Sequence, residues 1–253
     1  MTGRLAVVGL GPGDARSLTP EAAAALAEAK ALYGYAGYLD RVPPRAGQSR
    51  HPSDNREEGA RARAALEAAA DGPNVALVTA GDPGVFAMGA AVCEAIEHGP
   101  AAWRTLDVAM IPGVTAMLAV AARVGAPLGH DFCALSLSDN LKPWETIERR
   151  LDAAAAAGFV LALYNPVSRA RPWQLGKAFE RLRRHLPGAT LVVFGRAVGR
   201  ADERLAIATL AEADTVEADM ATLIIVGSAA TRLIARPGLP PLVYTPRAGE
   251  IGP

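Results

Sequence analysis

Apolar positions in this chain fall into short continuous runs, separated by longer stretches where they recur at three- and four-residue spacing. The runs predict buried strands and the spaced stretches amphipathic helices. In the first half the two alternate. Residues 5–8 predict a strand. Thr19-Pro20-Glu21 then predicts a helix start, with threonine as N-cap, proline in the first turn and an acid for the dipole. An alanine-rich run carries that helix to Lys30. Residues 32–38 predict a second strand, interrupted by Gly34 and Gly37. A polar, proline-rich stretch over 42–54 reads as loop, and 55–70 as a helix with Arg and Glu on one side and Ala and Leu on the other. Val75–Thr79 predicts a strand, 89–97 a helix and Asp107–Ile111 a strand.

From Thr115 the pattern resets. Ala116–Val124 predicts a helix stopped by Gly125-Ala126-Pro127. Strands are predicted over 132–138, 159–164 and 190–194, with helices over 144–157 and 172–185, the latter closed by Pro187-Gly188. Residues 203–205 and 206–210 predict a hairpin, and Thr222–Val226 a last apolar strand. Strict alternation with short connections implies a largely parallel sheet in the first half. Closer strands in the second half imply mixed pairing. The expected fold class is α/β, with two α/β domains, 1–113 and 114–253, and a ligand cleft between them.

Three of the predicted strands end in glycine-rich turns. Gly81-Asp82-Pro83-Gly84-Val85-Phe86 follows one, Gly9-Leu10-Gly11-Pro12-Gly13-Asp14 another, and Pro112-Gly113-Val114-Thr115-Ala116 a third. Such turns are expected to leave their last backbone N–H and C=O groups unpaired at the edge where α/β sheets bind ligands, so that the three line one crevice. Asp82 beside Pro83 equally suits a plain turn former.

Composition narrows the ligand. The 253 residues are 51% hydrophobic with a formal net charge of zero, so no global field recruits nucleic acid or an acidic membrane. The basic cluster Arg181, Arg183, Arg184 and His185 reads as a solvated helix face. Cys93 and Cys133 read as buried free thiols in a reducing compartment, without metal-type spacing. No apolar run reaches membrane-spanning length, and the chain opens on a strand rather than a leader, so the expectation is a soluble cytoplasmic protein.

A dinucleotide fits the glycine turns poorly. The fingerprint needs a third glycine where this chain has Asp14, and Pro12 removes an N–H from the loop that should cradle pyrophosphate. The helix signal waits until Thr19, so its positive end comes too late for phosphates. No Gly-Lys-Ser/Thr follows a turn as a P-loop requires. An adenosyl ligand without phosphates fits better, because it asks for backbone amides and carbonyls, small residues and a hydroxyl or carboxylate. Ala80-Gly81-Asp82, Val85 and Thr115-Ala116 supply these.

The three turns, together with Leu163-Tyr164-Asn165-Pro166 and Thr222-Leu223-Ile224-Ile225-Val226-Gly227, span nearly the whole chain in one order. Jointly they resemble the tetrapyrrole methylase family, which transfers a methyl group from S-adenosylmethionine. A second set of segments is similar to the members of that family that act in cobalamin biosynthesis on C17 of precorrin-3B. It comprises Gly125-Ala126-Pro127-Leu128-Gly129-His130-Asp131-Phe132, Ser136-Leu137-Ser138-Asp139, Pro143-Trp144-Glu145 and Gly195-Arg196-Ala197-Val198-Gly199-Arg200. Asn140 and Lys142 depart from the commoner Ser-Asp-Leu-Leu-Thr-Pro-Trp run of that group.

The resemblance implies a two-domain homodimer with S-adenosylmethionine in the interdomain cleft, methylating precorrin-3B and contracting its ring to precorrin-4. Another precorrin or a cobalt-precorrin is the neighbouring reading, and a dinucleotide-binding α/β protein the reading from a different class. By carry-over the cofactor meets Pro12, Ala80, Gly81, Asp82, Val85, Thr115, Ala116, Tyr164, Ala197 and Thr222.

An electron-rich reduced tetrapyrrole supplies its own nucleophile, so the protein mainly positions two large molecules. This accounts for a sequence without a Ser-His-Asp constellation or a metal cluster. Ring contraction moves protons, which makes His130 and Asp131 the first catalytic candidates, and Ser136, Ser138 and Asp139 the second. A loop pair that caps the following strand suits His130-Asp131 as well. Substrate carboxylates want arginines, and Arg169, Arg196 and Arg200, with Arg171, stand in predicted loops. Tyr33, Tyr35 and Tyr38 suit either the floor of a flat macrocycle or packing.

Overall fold

The computed structural model describes residues 3–54 and 57–248. The chain divides into two compact units between Ala116 and Met117. The first contains β1 (Arg4–Gly9), α1 (Pro20–Glu28), β2 (Ala31–Tyr35), α2 (Ala36–Leu39), β3 (Ser49–Ser53), α3 (Glu58–Ala70), β4 (Val75–Thr79), α4 (Met88–His98) and β5 (Asp107–Ile111). Its sheet has the order β3-β2-β4-β1-β5, and every pairing is parallel.

Alternation along the central strands builds two core layers. Leu5, Val7, Val75 and Leu77 pack with α3 and α4 residues such as Leu66 and Val92. Ala6, Val8, Ala76 and Val78 face the other way, toward Ala22 and Leu26 of α1 and Leu39. Burial on both faces is why these strands read as continuous apolar runs. Helix α1 starts where its cap dictates, with Thr19 Oγ1 accepting from Ala22 N at 3.1 Å.

Strand β3 lies in the stretch expected to be loop. Its sequence, Ser-Arg-His-Pro-Ser, carries no apolar alternation, and its proline is tolerated because β3 is an edge strand. Arginines hold it instead. Arg50 donates to the carbonyls of Val42 (2.9 Å) and Leu39, and Arg61 of α3, only 5% exposed, donates to Ser53 Oγ at 2.5 Å. Burial pulls the Arg61 guanidinium below its ordinary pKa, against nearby Glu58 and other acids that favour the charge. Strand β2 ends three residues earlier than expected, because Ala36–Leu39 turns into α2. Helix α3 begins at Glu58, and Asn55, where the expected helix opened, lies outside the described residues.

Helix α5 (Ala116–Val124) begins at the division between the units. β6 (Gly125–Ala126), β7 (Phe132–Ser136), α6 (Trp144–Ala156), β8 (Val160–Tyr164), α7 (Gln174–Leu182), β9 (Leu191–Arg196), β10 (Arg204–Thr209), β11 (Thr222–Val226), β12 (Arg232–Arg236) and β13 (Leu239–Tyr244) follow. The main sheet has the order β10-β9-β11-β8-β7, parallel only at β7–β8. Leu161, Leu163, Val192, Phe194 and Ile224 pack against α6 and α7 on one face. On the other, α5 approaches β9 at Gly195, where any Cβ would collide with Val120.

The expected hairpin over 203–210 is one strand, β10, which pairs antiparallel with β9. The expected last strand, β11, is followed by β12 and β13, which join β6 in a separate three-stranded sheet. The thiols also differ from expectation: Cys93 is exposed and Cys133 half-buried. Nor is the basic cluster merely solvated. Arg181 and His185 both engage Asp152, His185 at 3.0 Å, and Arg183 donates to the Leu210 carbonyl at 2.8 Å. Among the described residues no helix is long and apolar enough to cross a membrane.

Phe179 is fully buried in the α6–α7 core, edge-on to Phe194 with ring centroids 6.2 Å apart. Phe179→Ala is expected to cost the second unit about 3–5 kcal/mol, through lost burial and the cavity left behind. A urea melt that resolves that unit's transition checks this; a midpoint equal to wild type contradicts it.

Candidate functional site

Strands β4, β1 and β5 are neighbours in an all-parallel sheet, so their C-terminal ends, each followed by a glycine turn, lie at one edge. The turns are knitted to one another. Gly11 N donates to Gly81 O at 3.1 Å and Gly81 N returns a bond to Gly11 O at 3.0 Å. The groups expected to be unpaired are therefore paired, because the ladder extends past both strand ends into the loops. A Cβ on Gly9 would stand 2.6 Å from Gly81 O, and one on Gly113 would strike the same oxygen. Only glycine lets three backbones approach this closely. Gly81 itself takes φ +63°, the left-handed region.

Asp82 locks the arrangement. One carboxylate oxygen accepts from Gly84 N at 2.8 Å within its own turn, and the other from Gly113 N at 3.1 Å in the turn after β5. Thr115 is buried. The position a Gly81 Cβ would take is 3.6 Å from Thr115 Cα and 4.0 Å from Ala116 N, so these segments adjoin. The structure thus brings Ala80, Gly81, Asp82, Val85, Thr115 and Ala116 to one place, with partly buried Pro12 in the neighbouring loop. Phe86 ends the turn at φ +52°, 52% exposed.

Asp14, the residue that broke the dinucleotide fingerprint, has a local task. It caps the 3-10 turn Ala15–Ser17, accepting from Arg16 N at 2.8 Å and from the Arg16 side chain. Arg41, which the sequence did not single out, donates at 2.9 Å to the carbonyls of both Leu10 and Gly11. Tyr33 stacks on His51 at 4.3 Å, and Tyr35 meets Tyr38 edge-on at 5.2 Å.

In the second unit, register decides which candidates share an edge. Ser136 pairs with Tyr164, and Thr222 with Arg196, so the ends of β7, β8 and β9 and the start of β11 coincide. Ser136, Ser138, Asp139, Tyr164, Ala197 and Thr222 all belong to that edge. His130 and Asp131 precede β7, at the opposite end of a five-residue strand, on the order of 15 Å away. The structure therefore does not bring the two sets of catalytic candidates together. His130 Nδ1 accepts from Asp131 N at 2.8 Å, and the Asp131 carbonyl accepts from Val160 N at 3.1 Å, which pins the entry to β7 and β8.

The β7–β8 edge is densely bonded. Ser136 Oγ accepts from Asn165 Nδ2 at 2.9 Å and from Ser138 N at 3.3 Å, with Asn165 held at φ +53°. Gln174, 1% exposed, donates to Leu137 O at 2.7 Å and to Asp139 Oδ1 at 3.2 Å. Arg171 Nε meets the same carboxylate oxygen at 2.5 Å. Nothing in the sequence pattern marked Gln174, because a buried glutamine on an apolar helix face looks like a breach of periodicity. The Tyr164 hydroxyl accepts from Met117 N at 3.2 Å. Thr222 Oγ1 bonds Asp219 Oδ1 at 2.9 Å, and Ala197, at φ +49°, donates to Ala221 O at 2.9 Å.

Of the arginines expected to bind carboxylates, Arg196 already holds two from its own chain, Asp219 at 2.8 Å and Asp202 at 2.7 Å. Arg200 donates its backbone N–H to Ala197 O, and Arg169 is exposed. An open groove of about 410 Å³ along α6 and α7, with Trp144 edge-on to Trp173, is lined by none of these candidates.

A family model for tetrapyrrole (corrin/porphyrin) methylases matches residues 4–214. The chain belongs to the tetrapyrrole methylases. It is 64% identical over 247 residues to a precorrin-3B C(17)-methyltransferase of Sinorhizobium sp, covering 98% of this chain and 97% of that one. Its fold matches the crystal structure of the methyltransferase CobJ with a TM-score of 0.92 and 48% identity, over 97% of this chain and 100% of that one. A uroporphyrin-III C-methyltransferase from Thermus thermophilus, crystallised with S-adenosylhomocysteine, matches with a TM-score of 0.69 and 25% identity, over 90% and 98% of the two chains. For this tetrapyrrole methylase, then, the resemblance in fold and family stands.

The charge cluster at Arg196 makes a pH prediction. Burial pushes the Asp219 carboxyl up, but bonds from Arg196, Thr222 and Ala221 N outweigh it and hold the group below its ordinary value. A depressed carboxylate stabilises the fold above the unfolded pKa of about 3.9, and that contribution is lost as pH falls through the lower folded value. Carboxyl NMR titration is expected to show Asp219 titrating below the ordinary range in wild type and at or above it in Arg196→Gln. Identical midpoints contradict the assignment.

Proposed function

We propose that this protein is an S-adenosylmethionine-dependent C-methyltransferase that methylates C17 of precorrin-3B and contracts the macrocycle to precorrin-4, in cobalamin biosynthesis. The observation that carries this is the 64% identity, over essentially the full length of both chains, to the Sinorhizobium enzyme of that name.

The strand-end cluster of the first unit fits the donor. Gly81 has no side chain, its Cβ position meets Thr115 only at ordinary contact distance, and the residues at 80 and 116 are alanines, so no bulky side chain of these three occupies the space beside them. No lysine or arginine stands among Ala80, Gly81, Asp82, Val85, Thr115 and Ala116, which suits an adenosyl group without phosphates. When bound, S-adenosylmethionine supplies an electrophilic methyl group on a sulfonium. The chain's own contribution is to hold the crevice in shape before the ligand arrives. Asp82 does this by clamping two turns, so its carboxylate acts on the donor through the backbone it fixes. Pre-organised geometry of this kind lowers the entropic barrier to in-line transfer.

The acceptor's electron-rich ring carbon would form the new C–C bond as the S–CH3 bond breaks, the sulfonium becoming a neutral thioether and its positive charge passing to the acceptor ring, which sheds it by releasing a proton. No nucleophilic side chain is required. For the contraction step the reading moves to the β7–β8 edge, where Ser136, Ser138 and Asp139 stand with their bonding partners, and away from His130 and Asp131. A cytoplasmic homodimer belongs to the same reading, supported by two unpaired cysteines and by the apolar Leu233, Ile234 and Leu239 exposed on the β12–β13 hairpin.

Calorimetric titration with S-adenosylhomocysteine and with NAD separates this reading from the dinucleotide alternative. The expected result is saturable binding of the thioether and none of NAD; the reverse would sink the proposal. Gly113→Ala, which forces a Cβ onto Gly81 O, is expected to weaken thioether binding by at least about tenfold, equivalent to roughly 1.4 kcal/mol. Unchanged affinity would mean that the knitted strand ends are not the donor site.

A further inference from the structure

Within the second unit, the basic side chains at the edge formed by β7, β8 and β9 are mostly committed. Arg171 is bonded to Asp139 and Arg196 to Asp202 and Asp219. Arg123, on α5, is paired at 2.7 Å with Glu203, whose other oxygen takes the Gly199 N–H. Arg169 is exposed and keeps its hydration, so it asks for no partner.

Lys142 differs from all of these. It is partly buried in the loop between β7 and α6, and its Nζ donates at 3.1 Å to a neutral acceptor, the Ser138 carbonyl. Among the described residues no carboxylate lies within ion-pair distance of Nζ. Its charged neighbours are Arg150 of α6, which repels it, and Asp139 of the preceding loop, which is already bonded to Arg171 and Gln174. Burial is the larger influence on the ammonium and Arg150 the second; together they lower its pKa against the pull of Asp139. A partly desolvated cation without an ion-pair contact is less stable than a paired one, and the fold keeps one here, near Asp139 but not bonded to it. One donor of the ammonium is spent on Ser138, and the others remain for a ligand.

We propose that Lys142 is an anchoring residue for a carboxylate side chain of the tetrapyrrole acceptor, seated on the Ser138 carbonyl and left without an ion-pair contact by the protein so that the acceptor supplies one. The inference rests on the proposed function for the identity of the acceptor. The geometry asks only for a carboxylate-bearing ligand at the β7–β8 edge. Lys142 sets acceptor affinity and takes no part in bond making.

The test compares wild type, Lys142→Met and Lys142→Arg with precorrin-3B and S-adenosylmethionine. Loss of one charge-assisted bond is expected to raise KM for precorrin-3B about tenfold in Lys142→Met, with kcat within about twofold and S-adenosylhomocysteine affinity unchanged. Lys142→Arg, which keeps the charge, should recover most of the affinity. An unchanged KM in Lys142→Met, or an equal rise in both variants, overturns the proposal. If wild type itself gives no turnover, the acceptor reading has failed and the anchor is judged by binding alone. Absorbance titration with uroporphyrin III, a stable polycarboxylate tetrapyrrole, should then show about tenfold weaker binding to Lys142→Met than to wild type. Equal binding, or none to either protein, overturns the anchor.

Discussion

Reciprocal hydrogen bonds between Gly11 and Gly81 hold the first unit's strand-end cluster together. Those two bonds draw the loops after β1 and β4 into one surface, and the missing side chains of Gly9 and Gly113 let the loop after β5 close on it. Asp82 then spends both carboxylate oxygens on amides from two different turns. The result is a rigid edge made of backbone, as a ligand recognised by shape and by neutral polar groups requires. Phosphate recognition would need a different economy of charge. Here the acid of the Gly-Pro-Gly-Asp turn faces Arg16 and caps its own 3-10 turn.

The second unit reaches a comparable rigidity through side chains. Antiparallel pairing of β11 with both β8 and β9 returns Thr222 to the level where Tyr164 and Arg196 end their strands. Around that edge buried Gln174 ties the start of α7 to the loop after β7, Ser136 receives Asn165, and Asp139 is pinned by Arg171. Non-glycine residues sit in the left-handed region at Asn165 and Ala197, each one residue past a strand end, and at Phe86, which closes the Gly81–Phe86 turn of the first unit. Strained conformations of that kind persist where the surroundings over-determine them, and they cluster at ligand sites.

Much of this was legible in the sequence for a physical reason. Strands buried on both faces, such as β4 and β11, are continuous apolar runs, and their bounds were predicted to the residue, as were those of β5 and α5. The glycine turns were legible because close backbone approach leaves no other choice of residue. What failed to show was structure held by polar bonds. Strand β3 depends on Arg50 and Arg61, which no periodicity reveals. Strand β12 is almost wholly exposed and β13 is buried only at Val243, so alternation is faint there. His130 and Asp131 are catalytic candidates in the sequence because ring contraction moves protons and they stand in a loop. Only the register of β7 shows that they sit at the end away from Ser138 and Asp139. Lys142 stood out in sequence only as a departure from a motif, and its significance came from what surrounds it.

Methyl transfer in this protein depends on the knitted edge of the first unit receiving the methyl donor. A co-crystal structure with S-adenosylhomocysteine tests it most directly. The thioether is expected to sit against the backbone of Ala80, Gly81 and Asp82 and of Thr115 and Ala116, with the Gly11–Gly81 bonds intact. A thioether bound with no contact to those residues would contradict it.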